Sequence, residues 1–160
     1  MTATPHEKSI LAAIRDIIGG ACKKNGFSKG TRAYWWRIRD DAIHAIHLDR
    51  RVVGRHPYFV EVSFDFISAG GVPGGSLNMM PVNFRIERTM SNQEVFLTAL
   101  TPGAEFGSLE RRCEFIENIL QDKINKEIDP IVRIAALKEL KVTYKDDNIL
   151  TIALRIENLM

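Results

Sequence analysis

Nine consecutive residues alternate without a break: Tyr58, Val60, Val62, Phe64 and Phe66 fall on one side, Phe59, Glu61, Ser63 and Asp65 on the other. Only an extended strand puts every second residue on one face, so this segment commits the chain to a sheet covered on one side. The same period recurs nearby. Tyr34, Trp36 and Ile38 alternate with Trp35, Arg37 and Arg39, and after Asp40-Asp41 the residues His44, Ile46 and Leu48 alternate with Ile43, Ala45, His47 and Asp49. A fourth strand follows Pro81, with Val82, Phe84 and Ile86 on its apolar side. Gathering the apolar sets of the first hairpin on one face pairs Trp36 with Ile46 and Trp35 with His47, across a three-residue loop.

Helical signals flank these strands. Thr4-Pro5-His6-Glu7 has the form of a capping box with Pro at the first helical position, and Ile10, Ile14, Ile17 and Ile18 follow at helical spacing as far as Asn25-Gly26. Ser108 is placed to cap a long helix whose stripe is Leu109, Cys113, Ile116, Ile119, Leu120 and Ile124. Asp129-Pro130 ends it and opens a helix to about Leu140. Segments 92–100 and 149–159 fit either helix or strand. Gly70-Gly71 and Gly74-Gly75 leave the stretch between the third and fourth strands as a loop, either a lid or a plain connection. The order helix, strands, helices predicts an α+β fold over a single domain, 1–160: an antiparallel meander of four or five strands, with the N-terminal and C-terminal helices packed on one face.

With 45% hydrophobic and 26% charged residues, the chain can build an ordinary core. No apolar run approaches the ~20 residues of a membrane span, and the first residues lack a secretory pattern, so a cytoplasmic protein that does not engage a membrane is expected. Cys22 and Cys113 have no metal-ligand spacing and read as buried thiols. Charge is unevenly spread: residues 1–60 hold eleven Lys and Arg against five Asp and Glu, whereas residues 61–160 hold eleven against fifteen. That asymmetry can steer an anionic partner to one side, or simply keep the protein soluble.

The sheet face away from the helices is expected to collect Trp35, Arg37, His47, Asp49, Glu61, Asp65 and Arg85, with Ser63 and Glu87. An exposed Trp35 or Phe59 among charges suits a macromolecular interface, unless a helix covers it. His47 beside Asp49 is a candidate acid–base pair or an ordinary hydrogen-bonded sheet histidine, and Glu61 with Asp65 is either a divalent-ion site or part of a set of cross-strand ion pairs. Arg50, Arg51 and Arg55, with His56, form a basic loop able to grip phosphates or merely to be solvated, and Lys23, Lys24, Lys29 and Arg32 can extend it. Phosphate-cradling and dinucleotide fingerprints are missing from the sequence, so no cofactor is expected.

The segments Gly26-Phe-Ser-Lys-Gly-Thr-Arg-Ala-Tyr-Trp-Trp-Arg37, Ala42-Ile-His-Ala-Ile-His-Leu-Asp49 and Tyr58-Phe-Val-Glu-Val-Ser-Phe-Asp65 resemble those of the bacterial domain of unknown function 4304 family, over about residues 5–140. The resemblance implies a helix ending in a Gly-Phe-Lys-like turn, an aromatic first strand and amphipathic strands backed by helices. The chain departs from that family at Leu48-Asp-Arg-Arg51, where a more polar end is usual. It brings no catalytic residues. The leading expectation is a non-enzymatic binding protein, of immunity or accessory type, for a protein partner or, through the basic loop, for nucleic acid or phosphate, with homodimerisation open. The alternative is a metal-dependent hydrolase using His47, Asp49, Glu61 and Asp65.

Overall fold

The structure, a computed structural model, describes residues 2–51, 54–74, 80 and 82–137. Helix α1 (Pro5–Lys24) begins as the capping box requires: the Thr4 side chain accepts from the Glu7 N–H at 3.1 Å, and the Glu7 carboxylate accepts from the Thr4 N–H at 2.8 Å. Five antiparallel strands follow in sequential order, β1 (Ser28–Lys29), β2 (Tyr34–Arg39), β3 (Ala42–Arg50), β4 (Tyr58–Phe66) and β5 (Val82–Arg85). Helices α2 (Gln93–Ala99) and α3 (Leu109–Lys123) follow the sheet, and a π-turn over Ile124–Ile128 extends α3. Ser108 caps α3, its Oγ accepting from the Arg111 N–H.

The α+β expectation holds, with the strands in meander order and the fifth strand at an unexpected place. Segment 92–100 is not a strand; most of it forms α2, whose N-cap is Asn92 without a side-chain capping bond. The fifth strand is β1, too short to leave a periodic signal. Residues 134–137 are helical, as expected there, whereas the remainder of that helix and segment 149–159 lie outside the described residues. The helices bury the apolar side of β4 as its alternation demands: Val60, Val62, Phe64 and Phe66 join Ile14 and Ile18 of α1 and Ile116 and Leu120 of α3 in one core.

The register of the first hairpin differs from the expected one. Trp35 pairs with Ile46, Trp36 with Ala45 and Arg37 with His44, so the loop has two residues, Asp40 and Asp41, instead of three. Asp40 takes the left-handed conformation (φ 50°) that a tight connection needs and that Asp tolerates better than most residues. A slip of one residue exchanges the faces of a strand. Trp35 and Arg37 therefore face the helices, not the opposite side, and are 5% and 4% exposed. The sequence pattern was undecided here because β2 carries an aromatic residue on each side.

Arg37 is accommodated by a buried set of partners. Its Nε donates to His44 Nδ1 at 3.0 Å, one terminal nitrogen donates to the Asn25 carbonyl at 2.7 Å, and the other bonds Asp129. The Phe27 ring lies 4.4 Å from the guanidinium carbon. Because His44 Nδ1 accepts, its proton is on Nε2, which donates to the Ile131 carbonyl at 2.5 Å. The end of α1, two strands and the segment after α3 are thereby tied together.

Candidate functional site

Opposite the helices, the face expected to be polar is partly closed. Tyr34, Ile43, Ala45 and Met80 form a second small apolar cluster, with Trp36 packed against it. Gly74 approaches this face: a Cβ added there would sit 3.6 Å from the Trp36 ring. Further along, the register aligns Tyr34, His47, Glu61 and Arg85 in one row across four strands. Arg85 and Arg51 both approach the buried Phe59 ring, at 4.1 and 5.6 Å. His47, Asp49, Glu61, Asp65 and Arg85 thus occupy the expected face, without Trp35 or Arg37.

The donors on this face do not converge. His47 Nδ1 lies 3.9 Å from Asp49 Oδ2, and Glu61 is the cross-strand partner of His47, but Asp65 is four residues further along β4, ~13 Å away at strand rise. Among the described residues, no three His, Cys, Asp or Glu side chains come together as a cation site. Burial lowers the His47 pKa, with Asp49 acting against it. Burial raises that of Glu61, reinforced by Asp49 and Glu87, and raises that of Asp65 against the pull of the Phe66 N–H. Glu87 is also raised by burial, and its Oε2, like Ser63 Oγ, is buried without a hydrogen-bond partner.

An open concavity lies elsewhere, between α1 and the end of the sheet where β2 begins and β3 finishes. It is an open cleft of about 1200 Å³. From α1 come Ala12, Arg15, Asp16, Gly19 and Lys23, a single stripe at helical spacing. Lys29 on β1, Arg32 in the following turn and Arg50 at the end of β3 complete the rim, and Phe27, Trp35, Leu48 and Tyr58 supply the apolar lining. Gly19 allows this arrangement: a Cβ there would lie 3.2 Å from the Trp35 ring, which packs beneath the helix. His47 and Asp49 border the same cleft at the end of β3.

Five cations, Arg15, Lys23, Lys29, Arg32 and Arg50, therefore surround one space. All are exposed, and none forms an ion pair with another described residue. Away from the cleft, Lys24 binds Glu117 at 2.8 Å, and Lys123 binds Glu127 at 2.7 Å and the Thr89 carbonyl at 3.0 Å. Five like charges face Asp16 and Asp49 alone, so the cleft carries a positive potential.

The basic loop is divided by strand geometry. Arg50 enters the cleft, Arg51 turns to Phe59 on the opposite face, and Arg55 stands in solvent. His56 holds the loop to α2 through Thr101 Oγ1 at 3.1 Å and Glu94 Oε2 at 2.9 Å. Lys23, Lys29 and Arg32 extend the patch as expected, while Lys24 pairs away from it. Arg15 was missed in the sequence reading; its signal was the i, i+8 spacing to Lys23 on a stripe otherwise made of Ala12 and Gly19. Cys22 is buried, and desolvation raises its pKa to about 12, which leaves it an inert thiol; Cys113 is half-buried. No helix among the described residues is long and apolar enough to cross a membrane. No family model, curated protein or solved structure matches the chain.

Proposed function

We propose that this protein is a non-enzymatic binding protein whose recognition element is the basic cleft and whose macromolecular partner presents anionic groups there. The observation that carries this reading is the convergence of five cations, none in an ion pair with another described residue, around one concavity. Unpaired like charges repel one another and lower folded-state stability slightly, so their assembly is accounted for by an anion that binds from outside. The proposed surface differs from the expected open sheet face, of which it retains only His47, Asp49 and the buried Trp35, and it takes Arg50 from the expected basic loop. Membership of the domain of unknown function 4304 family is part of the same proposal, supported by the helix that ends at the Gly26-Phe27 turn and by the aromatic β2.

Charge reversal tests it. A labelled polyanion, either oligothymidylate or polyglutamate, should be captured at low salt, as followed by fluorescence anisotropy. The Lys29→Glu/Arg50→Glu variant should lose at least about tenfold in affinity, whereas Arg111→Glu on α3 should change it little. Failure to capture any polyanion, or equal loss with Arg111→Glu, would overturn the reading.

A further inference from the structure

We infer that the anion taken by the cleft is the phosphodiester backbone of a single nucleic-acid strand; this rests on the cleft being the recognition element. Four features of the cleft favour that partner. Its volume, about 1200 Å³, exceeds the roughly 300–1000 Å³ of a small-ligand pocket and it opens to solvent, so a segment of polymer fills it better than one small molecule. The cations lie in a hollow, whereas duplex readers insert a projecting helix or ribbon into a groove, so the hollow receives one strand.

Complementarity decides between a strand and an acidic peptide. Beside its cations the cleft presents an apolar lining, and Tyr58, only half-buried and 5.8 Å from the Arg50 guanidinium carbon, offers a ring and a cation together. Bases bring flat apolar faces next to every charge, which matches such a lining, while an acidic peptide brings charge with little apolar surface. Asp16 and Asp49 repel carboxylates and phosphates alike, but they can accept hydrogen bonds from base N–H groups, which an acidic side chain does not offer. Trp35 is sealed beneath α1 and acts as a floor, not a stacking platform.

The fourth feature is the backbone of Arg32. Among described non-glycine residues only Arg32 (φ 57°) and Asp40 have positive φ. Asp40 is explained by its hairpin. Arg32 takes its left-handed conformation in the three-residue connection of the β1–β2 hairpin, so the turn that joins these strands also brings Arg32 to the cleft. The turn is held in advance of any ligand: the Gly30 N–H donates to the Tyr34 carbonyl at 2.8 Å, and Gly30 lies so close to the Tyr34 ring that a Cβ would overlap it. The turn therefore presents Arg32 at the rim, where its exposed guanidinium is free for forked binding of phosphate.

Arg32→Gly separates these roles. The full-length protein is titrated with fluorescein-labelled octathymidylate, with octaglutamate and with inorganic phosphate, each over a salt series, alongside Arg32→Gly. The oligonucleotide should bind most tightly, with log K falling against log salt at a slope of about −3. Arg32→Gly should weaken that binding about tenfold while the melting temperature stays level or rises by about 2 °C. Tighter binding of octaglutamate overturns the nucleic-acid assignment and leaves the cleft reading intact, and inorganic phosphate that competes at concentrations similar to the oligonucleotide overturns the polymer. Unchanged oligonucleotide binding by Arg32→Gly removes the turn from the site and overturns the inference. If neither polyanion binds, the proposed function falls with it.

Discussion

Arg37 stays charged in the core because each side of its guanidinium meets a partner: His44, the Asn25 carbonyl, Asp129 and the Phe27 ring. Its neighbour His44, fully buried, is held neutral, its pKa pushed down to about 4 by desolvation, against the pull of the Ile131 carbonyl and with the Arg37 charge adding to the fall. The consequence for stability has a definite sign. An unfolded chain takes up this proton near pH 6.5 and the folded one near pH 4, so stability falls as pH drops through that window, by about 3 kcal/mol, and the loss stops below pH 4. Urea unfolding at pH 7, 5.5 and 4 should show this loss in the wild type and not in His44→Gln. Glu61, Asp65 and Glu87, whose pKa values are raised, contribute with the opposite sign, losing stability as pH rises, but they are common to both proteins and cancel in the comparison. Equal pH slopes in the two proteins would mean that His44 titrates normally in the fold. Little of this was legible beforehand. The strand period of β2 placed Arg37 on the polar side, and no local pattern announces partners 12 and 92 positions away.

Elements were legible where a single period ran long enough to fix a face. Strand β4 alternates strictly and was read correctly, as were the caps of α1 and α3, because Thr4, Glu7 and Ser108 act through bonds three residues away. β2 was placed on the wrong side because the deciding information lies in the turn, one residue shorter than expected. Asp40 is the residue that sets it. Since Asp is tolerated in the left-handed region and a β-branched residue is not, Asp40→Gly should alter stability by less than about 0.5 kcal/mol, whereas Asp40→Val should cost about 2 kcal/mol. Chemical denaturation measures both; a tolerated Val would show that the turn does not require positive φ. β1 escaped notice for another reason. Two residues, Ser28 and Lys29, cannot display a period, and they are strand only because Trp35 and Trp36 present a free edge to them.

At the scale of the molecule, the excess of positive charge in residues 1–60 proved the most informative signal, although its location was misjudged. Of the basic loop only Arg50 reaches the cleft, which takes its cations from four separated places: one helix face, the short edge strand, the turn after it and the end of β3. A linear reading can count these charges but cannot tell that α1 lies alongside β1 and the end of β3, because that depends on the packing of Gly19 over Trp35. The adjacent tryptophans report on the two sides of the sheet. Trp35 lines the cleft beneath α1, and Trp36 lies on the other face near Gly74. Both carry an indole N–H visible by nuclear magnetic resonance, so one titration distinguishes the surfaces. On addition of oligothymidylate to the ¹⁵N-labelled protein, the Trp35 indole resonance should shift with ligand concentration while that of Trp36 stays in place. A shift of Trp36 with Trp35 unmoved would put recognition on the opposite sheet face and contradict the cleft.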